Sequence, residues 1–247
     1  MQVEERVPSC PQKVTQQVIT PDPHSSKSKN IYKEKKSFAS GINFYKLMWI
    51  FVIGCVIGVI IETIWTLAGT GKIESRKGLI YGPFSPVYGF GAVLFTILLY
   101  RLRKHNSIVI FTLCALIGAL FEYFCSWFQE TALGTLSWEY SDSPLNLNGR
   151  TNLMYAICWG FLGLLYIKHI YPFCSRMIEK IPNKIGKWIT WFLFFFMVFD
   201  IFISASAIKR ATDRNYDIPA TNQFAVFLDK HYPDEFLQKV YPNMEIV

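Results

Sequence analysis

The 247-residue chain is too apolar for an ordinary soluble domain. Hydrophobic residues make up 51% of it and charged residues 17%, whereas about 25% of residues are charged in a typical soluble domain. This composition excludes a disordered, coiled-coil or collagen-like chain and argues against a soluble enzyme. The net charge of +7 would suit either nucleic acid or anionic lipid as a partner.

The first 43 residues are polar, and they contain no apolar core that would predict a secretory signal. We expect a disordered, basic cytoplasmic tail over residues 1–43. Its lysines could contact anionic lipid, but we favour the simpler interpretation, a solvated tail that helps to set the membrane topology. These lysines are Lys27, Lys29, Lys33, Lys35 and Lys36.

Five apolar stretches follow, each close to the roughly 20 residues that a helix needs to cross a hydrocarbon core of about 30 Å. They cover residues 44–68, 86–102, 107–128, 152–171 and 188–208. We therefore predict an all-α, polytopic membrane protein with about five transmembrane helices. The predicted parts are a four-span domain (44–172), a cytoplasmic loop (173–187), a fifth span (188–208) and a polar C-terminal tail (209–247).

The distribution of lysine and arginine predicts the orientation, because cytoplasmic loops carry an excess of positive charge. With the N-terminus inside, residues 101–104 and 173–187 join the basic tail on the cytoplasmic side. That side then holds more lysine and arginine than the other. We expect a plasma-membrane protein with a cytoplasmic N-terminus and an external C-terminus.

Spans one and three share a pattern of residues at four-residue intervals. Each has two small residues, a glutamate and a hydroxyl residue, and this spacing places all four along one helical face. The positions are Gly54, Gly58, Glu62 and Thr66 in span one, and Cys114, Gly118, Glu122 and Ser126 in span three. An arginine-bearing loop and a span with a Gly-Phe step follow in both cases. We therefore favour a tandem duplication of a two-span unit, with parallel copies, over chance recurrence of glycine.

The two glutamates are the candidate functional groups. A carboxylate well inside a span costs about 2.5 kcal/mol or more on insertion scales, so Glu62 and Glu122 should face protein or a water-filled cavity. We expect them to line a polar chamber in the outer half of the membrane, with Asp200 as a further candidate. Arg76 and Arg150 from the outer loops are the expected partners. The alternative is a pair of ion pairs that only lock the repeats together, and for Asp200 we favour a structural role.

Two outer loops complete the predicted chamber. Residues 76–91 combine helix-breaking and apolar residues, which predicts a re-entrant or interfacial segment. Residues 129–152 carry Trp138 and Tyr140, which suit the headgroup region, and polar residues at every second position that an extended segment could aim together. The loop-shaping residues are Gly82, Pro83, Pro86, Gly89 and Gly91, and the alternating polar residues are Asn146, Asn148, Arg150 and Asn152.

The sequence lacks motifs for several other kinds of chemistry. The six cysteines form no CxxC pair and the four histidines show no ligand spacing, so we predict neither a metal site nor a cofactor. GTGK at 69–72 does not satisfy the phosphate-binding loop pattern, and no catalytic residue is assigned. No basic patch with interleaved aromatic residues indicates nucleic acid.

Several motifs together resemble a known family. They are GxxxE at Glu62, RxGLIYGPFSPVYGFG from Arg76, GxxxEY at Glu122, and WEYSxxxLNLNGRTNL from Trp138. Over about residues 45–172 the chain resembles the putative ABC-transporter type IV family of bacterial integral membrane proteins. The resemblance implies a permease-like role with a separate nucleotide-binding partner. It also implies that the following positions are important: Glu62, Arg76, Gly82, Pro83, Pro86, Tyr88, Gly89, Gly91, Glu122, Tyr123, Trp138, Tyr140, Asn146, Asn148, Gly149 and Arg150.

The leading hypothesis is a permease whose chamber binds a polar or cationic solute, or a lipid headgroup, through Glu62 and Glu122. The alternatives are a membrane enzyme that acts on a lipid with one glutamate as general base, and a non-catalytic assembly or sensor subunit. The expected partners are the lipid bilayer, a separate ATPase subunit or a second copy of the chain, and a small polar solute or lipid.

Overall fold

Helices make up most of the computed structural model, which describes residues 36–247. In chain order they are α1 (Phe44–Thr70), α2 (Pro86–Leu99), α3 (Ser107–Leu133), α4 (Leu153–Leu165), α5 (Tyr171–Glu179), α6 (Asn183–Asn215), α7 (Gln223–His231) and α8 (Asp234–Val240). The short strands are β1 (Thr135–Leu136), β2 (Asn146–Leu147), β3 (Thr151–Asn152) and β4 (Glu245–Ile246). A 3-10 turn over Tyr100–Leu102 extends α2, and a π-helical turn over Tyr166–Ile170 joins α4 to α5.

Within residues 36–247, four continuous helices are long and apolar enough to cross a membrane: α1, α3, the joined α4–α5 helix over Leu153–Glu179, and α6. These helices confirm the predicted all-helical, polytopic membrane fold. The second predicted span has the predicted bounds, Pro86–Leu102, and is shorter than these four helices. At about 1.5 Å per residue this helix rises about 25 Å, somewhat less than a hydrocarbon core of about 30 Å.

An irregular, buried segment leads into this short helix. Leu79 and Ile80 are almost fully buried. The backbone N–H of Ile80 donates to Ser204 Oγ (2.9 Å), and that of Tyr81 donates to Asp200 Oδ1 (3.1 Å), both on α6. Non-helical backbone at membrane depth requires such partners. The contacts show that the segment predicted to be re-entrant or interfacial is buried against α6, and they give Asp200 a structural role.

Polar residues and one proline set where the helices begin. Asn43, Asn106 and Asn152 each accept a hydrogen bond from a backbone N–H in the first turn of the helix that follows. These bonds satisfy N–H groups that have no partner inside a helix. The first residue of α2 is Pro86, whose missing N–H is not needed in a first turn.

The two predicted repeat units pack in the same way. A methyl group on Gly58 of α1 would overlap the Tyr88 side chain of α2, and one on Gly118 of α3 would overlap the Trp159 side chain of α4. Tyr88 and Trp159 hold equivalent positions, since each directly precedes a Gly-Phe step. The small residues therefore let one aromatic ring enter each helix pair, as a duplicated two-helix unit predicts.

Residues of the predicted polar C-terminal tail (209–247) fold back onto the bundle. α6 continues to Asn215, well past the predicted end of the span. The segment 216–247 then forms α7, α8 and β4, and β4 pairs antiparallel with β1. Its buried side chains, which include Leu228, Leu237 and Val240, pack against Ile80 and α6. We call this segment the C-terminal cap.

The predicted N-terminal tail lies mostly outside the described residues, and so does its lysine cluster apart from Lys36. Residues 36–43, the described part of the tail, pack against the bundle. Phe38 and Ala39 are buried, and the backbone N–H of Phe38 donates to Asn183 Oδ1 (2.7 Å) at the start of α6. The folded domain thus begins before residue 44.

Substitution of Gly58 or Gly118 by alanine should destabilise the protein, because the added methyl group collides with Tyr88 or Trp159. Overpacking of this kind costs about 1–3 kcal/mol. The matched control is Gly69→Ala on the same helix as Gly58, since nothing lies within 4 Å of that added methyl group. Unfolding in detergent followed by circular dichroism measures the difference. Equal stability of Gly58→Ala and Gly69→Ala would contradict the proposed packing.

Candidate functional site

The two intramembrane glutamates lie toward the same end of the bundle. We call this end, formed by residues 71–85, 134–152 and the C-terminal cap, the loop end. Glu122 on α3 is 6% exposed, and Glu62 on α1 is partly buried. Each glutamate lies one helical turn after the glycine at which its helix is closely packed, Gly58 for Glu62 and Gly118 for Glu122. The packing that brings the helices together therefore also places the carboxylates.

Glu62 accepts a hydrogen bond from Tyr88. The Tyr88 ring fills the space that Gly58 leaves open, and its hydroxyl reaches Glu62 Oε1. A hydrogen bond to an ionised carboxylate is roughly twice as strong as one between neutral groups. Tyr88 also stacks on Trp159, with ring centroids 5.7 Å apart. The two repeat units thus meet through these two rings.

Glu122 accepts hydrogen bonds from the second loop. Thr151 Oγ1 donates to Glu122 Oε2 (2.7 Å), and the Tyr140 hydroxyl donates to Oε1 over a longer distance (3.4 Å). Thr151 belongs to β3, which pairs with β2 in a short hairpin. The Tyr140 ring stacks on Tyr155 of α4, with centroids 4.6 Å apart. A loop hairpin and an aromatic pair therefore hold the donors in position.

The pKa of Tyr140 is affected by the charges of both Glu62 and Glu122, which places the two carboxylates near one hydroxyl group. Burial raises the pKa of the Tyr140 hydroxyl well above its usual range, and the negative charges of Glu122 and Glu62 raise that pKa further. The ion pairs formed within residues 36–247 involve neither Glu62 nor Glu122. Two acidic groups thus share a partly buried site, and neither forms an ion pair with a lysine or arginine of the described chain.

The expected pairing of the arginines with these glutamates is wrong. Arg76 Nε donates to Thr66 Oγ1 (2.5 Å), and Arg150 donates to Ser126 Oγ at 3.5 Å. Arg150 also forms an ion pair with Glu130 (2.5 Å). Thr66 and Ser126 lie four residues beyond their glutamates, which is about 6 Å along a helix. The loops thus hold both arginines one helical turn closer to the loop end than the glutamates, at equivalent positions of the two repeat units.

The predicted residues of the second loop mostly shape that loop. The segment is a hairpin and not an extended strand, because Asn148 and Gly149 adopt left-handed conformations (φ +52° and +68°). Consequently the alternating polar residues do not point to one place. Trp138 Nε1 donates to the carbonyl of Arg150 (3.0 Å), Asn148 donates to the hydroxyl of Tyr123 (3.1 Å), and Asn146 bonds to the carbonyls of Ser141 and Ser143 and to the N–H of Gly149.

The predicted residues of the first loop have matching structural roles. Gly82 has a left-handed conformation (φ +72°) and precedes Pro83 in the turn. Gly89 lies against α1, where a side chain would overlap Cys55 and Phe51. A methyl group on Gly91 would meet the Trp159 ring at ordinary contact distance. These residues let the segment enter the bundle and bring α2 close to α1.

Two residues at polar contacts escaped the sequence analysis. Thr151 donates directly to Glu122, but its only signal was its position next to Arg150. Lys46 is 2% exposed and forms an ion pair with Glu179 of α5 at the opposite end of the bundle. Its position inside the first apolar run was a usable signal, because a buried lysine requires a partner.

The arrangement defines a class of protein: a polytopic helical membrane protein with paired helix units and two carboxylates between them. A comparison with protein families adds the family itself. Residues 49–205 match the family described as "Putative ABC-transporter type IV". The match covers well over half of the chain, includes both glutamates and extends into α6, so the chain belongs to this family. No curated protein and no solved structure gives a match.

Replacement of Thr151 by valine should destabilise the loop end, because it removes the shorter of the two hydrogen bonds to Glu122 without changing side-chain volume much. A buried group that loses its partner costs about 1–3 kcal/mol. Thr151→Ser keeps the hydroxyl and serves as the control. The readout is thermal unfolding in detergent. If valine and serine have the same effect, the hydroxyl contributes nothing and the assignment fails.

Proposed function

We propose that this ABC-transporter-type membrane protein binds a cationic solute, or the cationic headgroup of a lipid, at Glu62 and Glu122, and that it acts as a permease. The observation that carries the proposal is the pair of carboxylates in one region with no basic partner among residues 36–247. Intramembrane carboxylates are costly and pair with something, which makes them candidates for a substrate pathway.

The hydrogen bonds leave acceptor capacity for a ligand. An ionised carboxylate offers about four lone-pair sites. In the described chain, Glu62 accepts one side-chain hydrogen bond and Glu122 accepts two. A positively charged group between the carboxylates would fill the remaining sites and relieve their mutual repulsion.

The aromatic residues around the carboxylates favour an organic cation. Tyr88 and Trp159 stack on each other, and so do Tyr140 and Tyr155. An aromatic face attracts a cation within about 6 Å of its centroid, and quaternary ammonium groups are often bound in this way. A substituted ammonium group suits the combination of carboxylates and rings better than a metal ion does.

The partner and the orientation belong to the same proposal. A separate ATPase subunit on the cytoplasmic side would supply energy, as the family description suggests, and a second copy of the chain is the alternative partner.

We further propose a plasma-membrane location with the N-terminus in the cytoplasm and the loop end outside. The lysine and arginine residues of the predicted cytoplasmic segments, which are the tail, 101–104 and 173–187, support this orientation.

Replacement of either glutamate by glutamine should weaken cation binding. We expect the purified protein in nanodiscs to bind at least one member of a series of small quaternary ammonium ions, measured with radiolabelled tetramethylammonium and its larger homologues. Loss of a charged hydrogen-bonding partner should reduce the affinity about tenfold or more in Glu62→Gln and in Glu122→Gln. Glu235→Gln, at an exposed position of α8, is the control. Wild-type affinity in both glutamine variants would disprove the proposed role.

Labelling with a membrane-impermeant thiol reagent tests the orientation. In a background without native cysteines, a cysteine at the exposed position Asp142 should react when the reagent is added outside intact cells. A cysteine at the exposed Lys104, at the other end of the bundle, should react only after the cells are opened. The reverse pattern would place the loop end in the cytoplasm.

A further inference from the structure

An apolar slot runs along α1 and ends at the candidate site. Its wall on α1 consists of Ile50, Ile53, Gly54, Ile57 and Ile61, which lie on one helical face. These eleven residue steps correspond to about 16 Å. Tyr88, Ala92 and Phe95 of α2 form the floor, and Trp159, Leu162 and the α4–α5 junction form the opposite wall.

The slot opens sideways between α1 and α5. The slot is partly open and measures about 40 Å³, and the adjoining, more open groove measures about 560 Å³. Ile53, Ile57, Ile170 and Cys174 border both spaces, and Phe173 borders the groove. Because α1 and the α4–α5 helix are membrane-spanning candidates, a bilayer around them would cover this opening. His169 also borders the groove.

The irregular junction between α4 and α5 lies at this opening. Tyr166–Ile170 form a π-helical turn, and Pro172 follows in the first turn of α5. A proline has no N–H for the carbonyl four residues before it, so the regular helical pattern cannot continue there. π-helical turns within α-helices often mark functional sites.

The interior of the slot offers only apolar contacts, except at one end. Tyr166 is the other hydroxyl-bearing residue of the lining, and its hydroxyl is already bonded to Thr96 (2.6 Å). At the other end, beside Ile61, the Tyr88 hydroxyl is bonded to Glu62. An occupant therefore needs a hydrocarbon body. The nearest carboxylate is that of Glu62, which lies next to the lining, beyond the Tyr88 hydroxyl that donates to it.

The charged group of the occupant provides selectivity, and its chain adds packing. A hydrocarbon chain gains no hydrophobic transfer energy by moving from lipid into the slot, because lipid tails are as apolar as leucine or isoleucine side chains, so its contribution comes from van der Waals contact with the slot walls. The carboxylate of Glu62, which has no basic partner within residues 36–247, selects a positive group. Charge complementarity thus identifies the kind of molecule that the slot holds.

We infer that the slot binds the aliphatic chain of a cationic amphiphile that enters from the bilayer and places its ammonium group at Glu62 and Tyr88. The chain then points away from the loop end, toward Ile50 and Cys174. This inference rests on the proposed function and specifies its substrate class: a single-chain amphiphile, and not a water-soluble cation.

A series of alkyltrimethylammonium ions tests the inference. Binding of the one-, four-, eight- and twelve-carbon members to protein in nanodiscs is measured against empty nanodiscs, which corrects for partition into lipid. We expect the corrected affinity to rise more than tenfold from the shortest to the longest member. Dodecanol, which has the chain without the charge, should not compete with the twelve-carbon cation.

Ile57→Trp, which fills the slot, should abolish the dependence on chain length and leave tetramethylammonium binding intact. Ile60→Trp is the matched control, because Ile60 is 53% exposed on the outer face of the same helix. A corrected affinity that does not depend on chain length in the wild type overturns the slot while the proposed function stands. Tetramethylammonium and dodecyltrimethylammonium binding that are both unchanged in Glu62→Gln overturn the proposed function itself.

A photoreactive probe keeps the test valid if Ile57→Trp fails to fold. Dodecyltrimethylammonium with a diazirine at the end of its chain should label wild-type protein near Ile53, Ile170 or Phe173, which border the slot and its groove. Labelling should disappear in Glu62→Gln. Labelling spread over exposed residues of α6, such as Phe192 and Phe195, would show contact with bulk lipid only and would overturn the inference.

Discussion

The close approach of helices at Gly58 and Gly118 is the constraint on which the rest of the structure depends. A side chain at either position would displace an aromatic ring from the helix that packs there. Because the rings can enter, Tyr88 reaches Glu62, and Tyr88 meets Trp159 where the two repeat units join. Two small residues thus determine both the contact between helices and the surroundings of the carboxylates.

The arginines and the glutamates have separate tasks in this arrangement. Arg76 and Arg150 fix the loops to the outer hydroxyl residues of α1 and α3, and Arg150 forms an additional ion pair with Glu130. The carboxylates, one turn further from the loop end, consequently form no ion pair with a lysine or arginine within residues 36–247. The proposed site combines carboxylates with stacked aromatic rings and an apolar slot. This combination suits the proposed ligand, which has a cationic group at one end and an aliphatic chain at the other.

Hydropathy predicted the helices, and helix-breaking residues among apolar ones predicted the irregular segment before α2, because both depend on local sequence. The arginine partners could not be predicted in this way, since a shift of about 6 Å along a helix decides which side chain a loop residue reaches. The folded cap also escaped prediction. Its helices are short, and most of their stability comes from tertiary packing of residues such as Leu237. The slot arises between distant segments, so no single motif encodes it.

The C-terminal cap has a consequence for how the protein is assembled in the cell. The cap contacts the first loop through Ser75 and Tyr81 and pairs with Thr135 after α3, so it joins parts of both repeat units. Ribosomes make this segment after all of the spans, and it reaches the loop end only once α6 has been inserted. Each helix pair can therefore enter the bilayer in turn. The contacts by which the C-terminal cap joins the two pairs then form late in biogenesis.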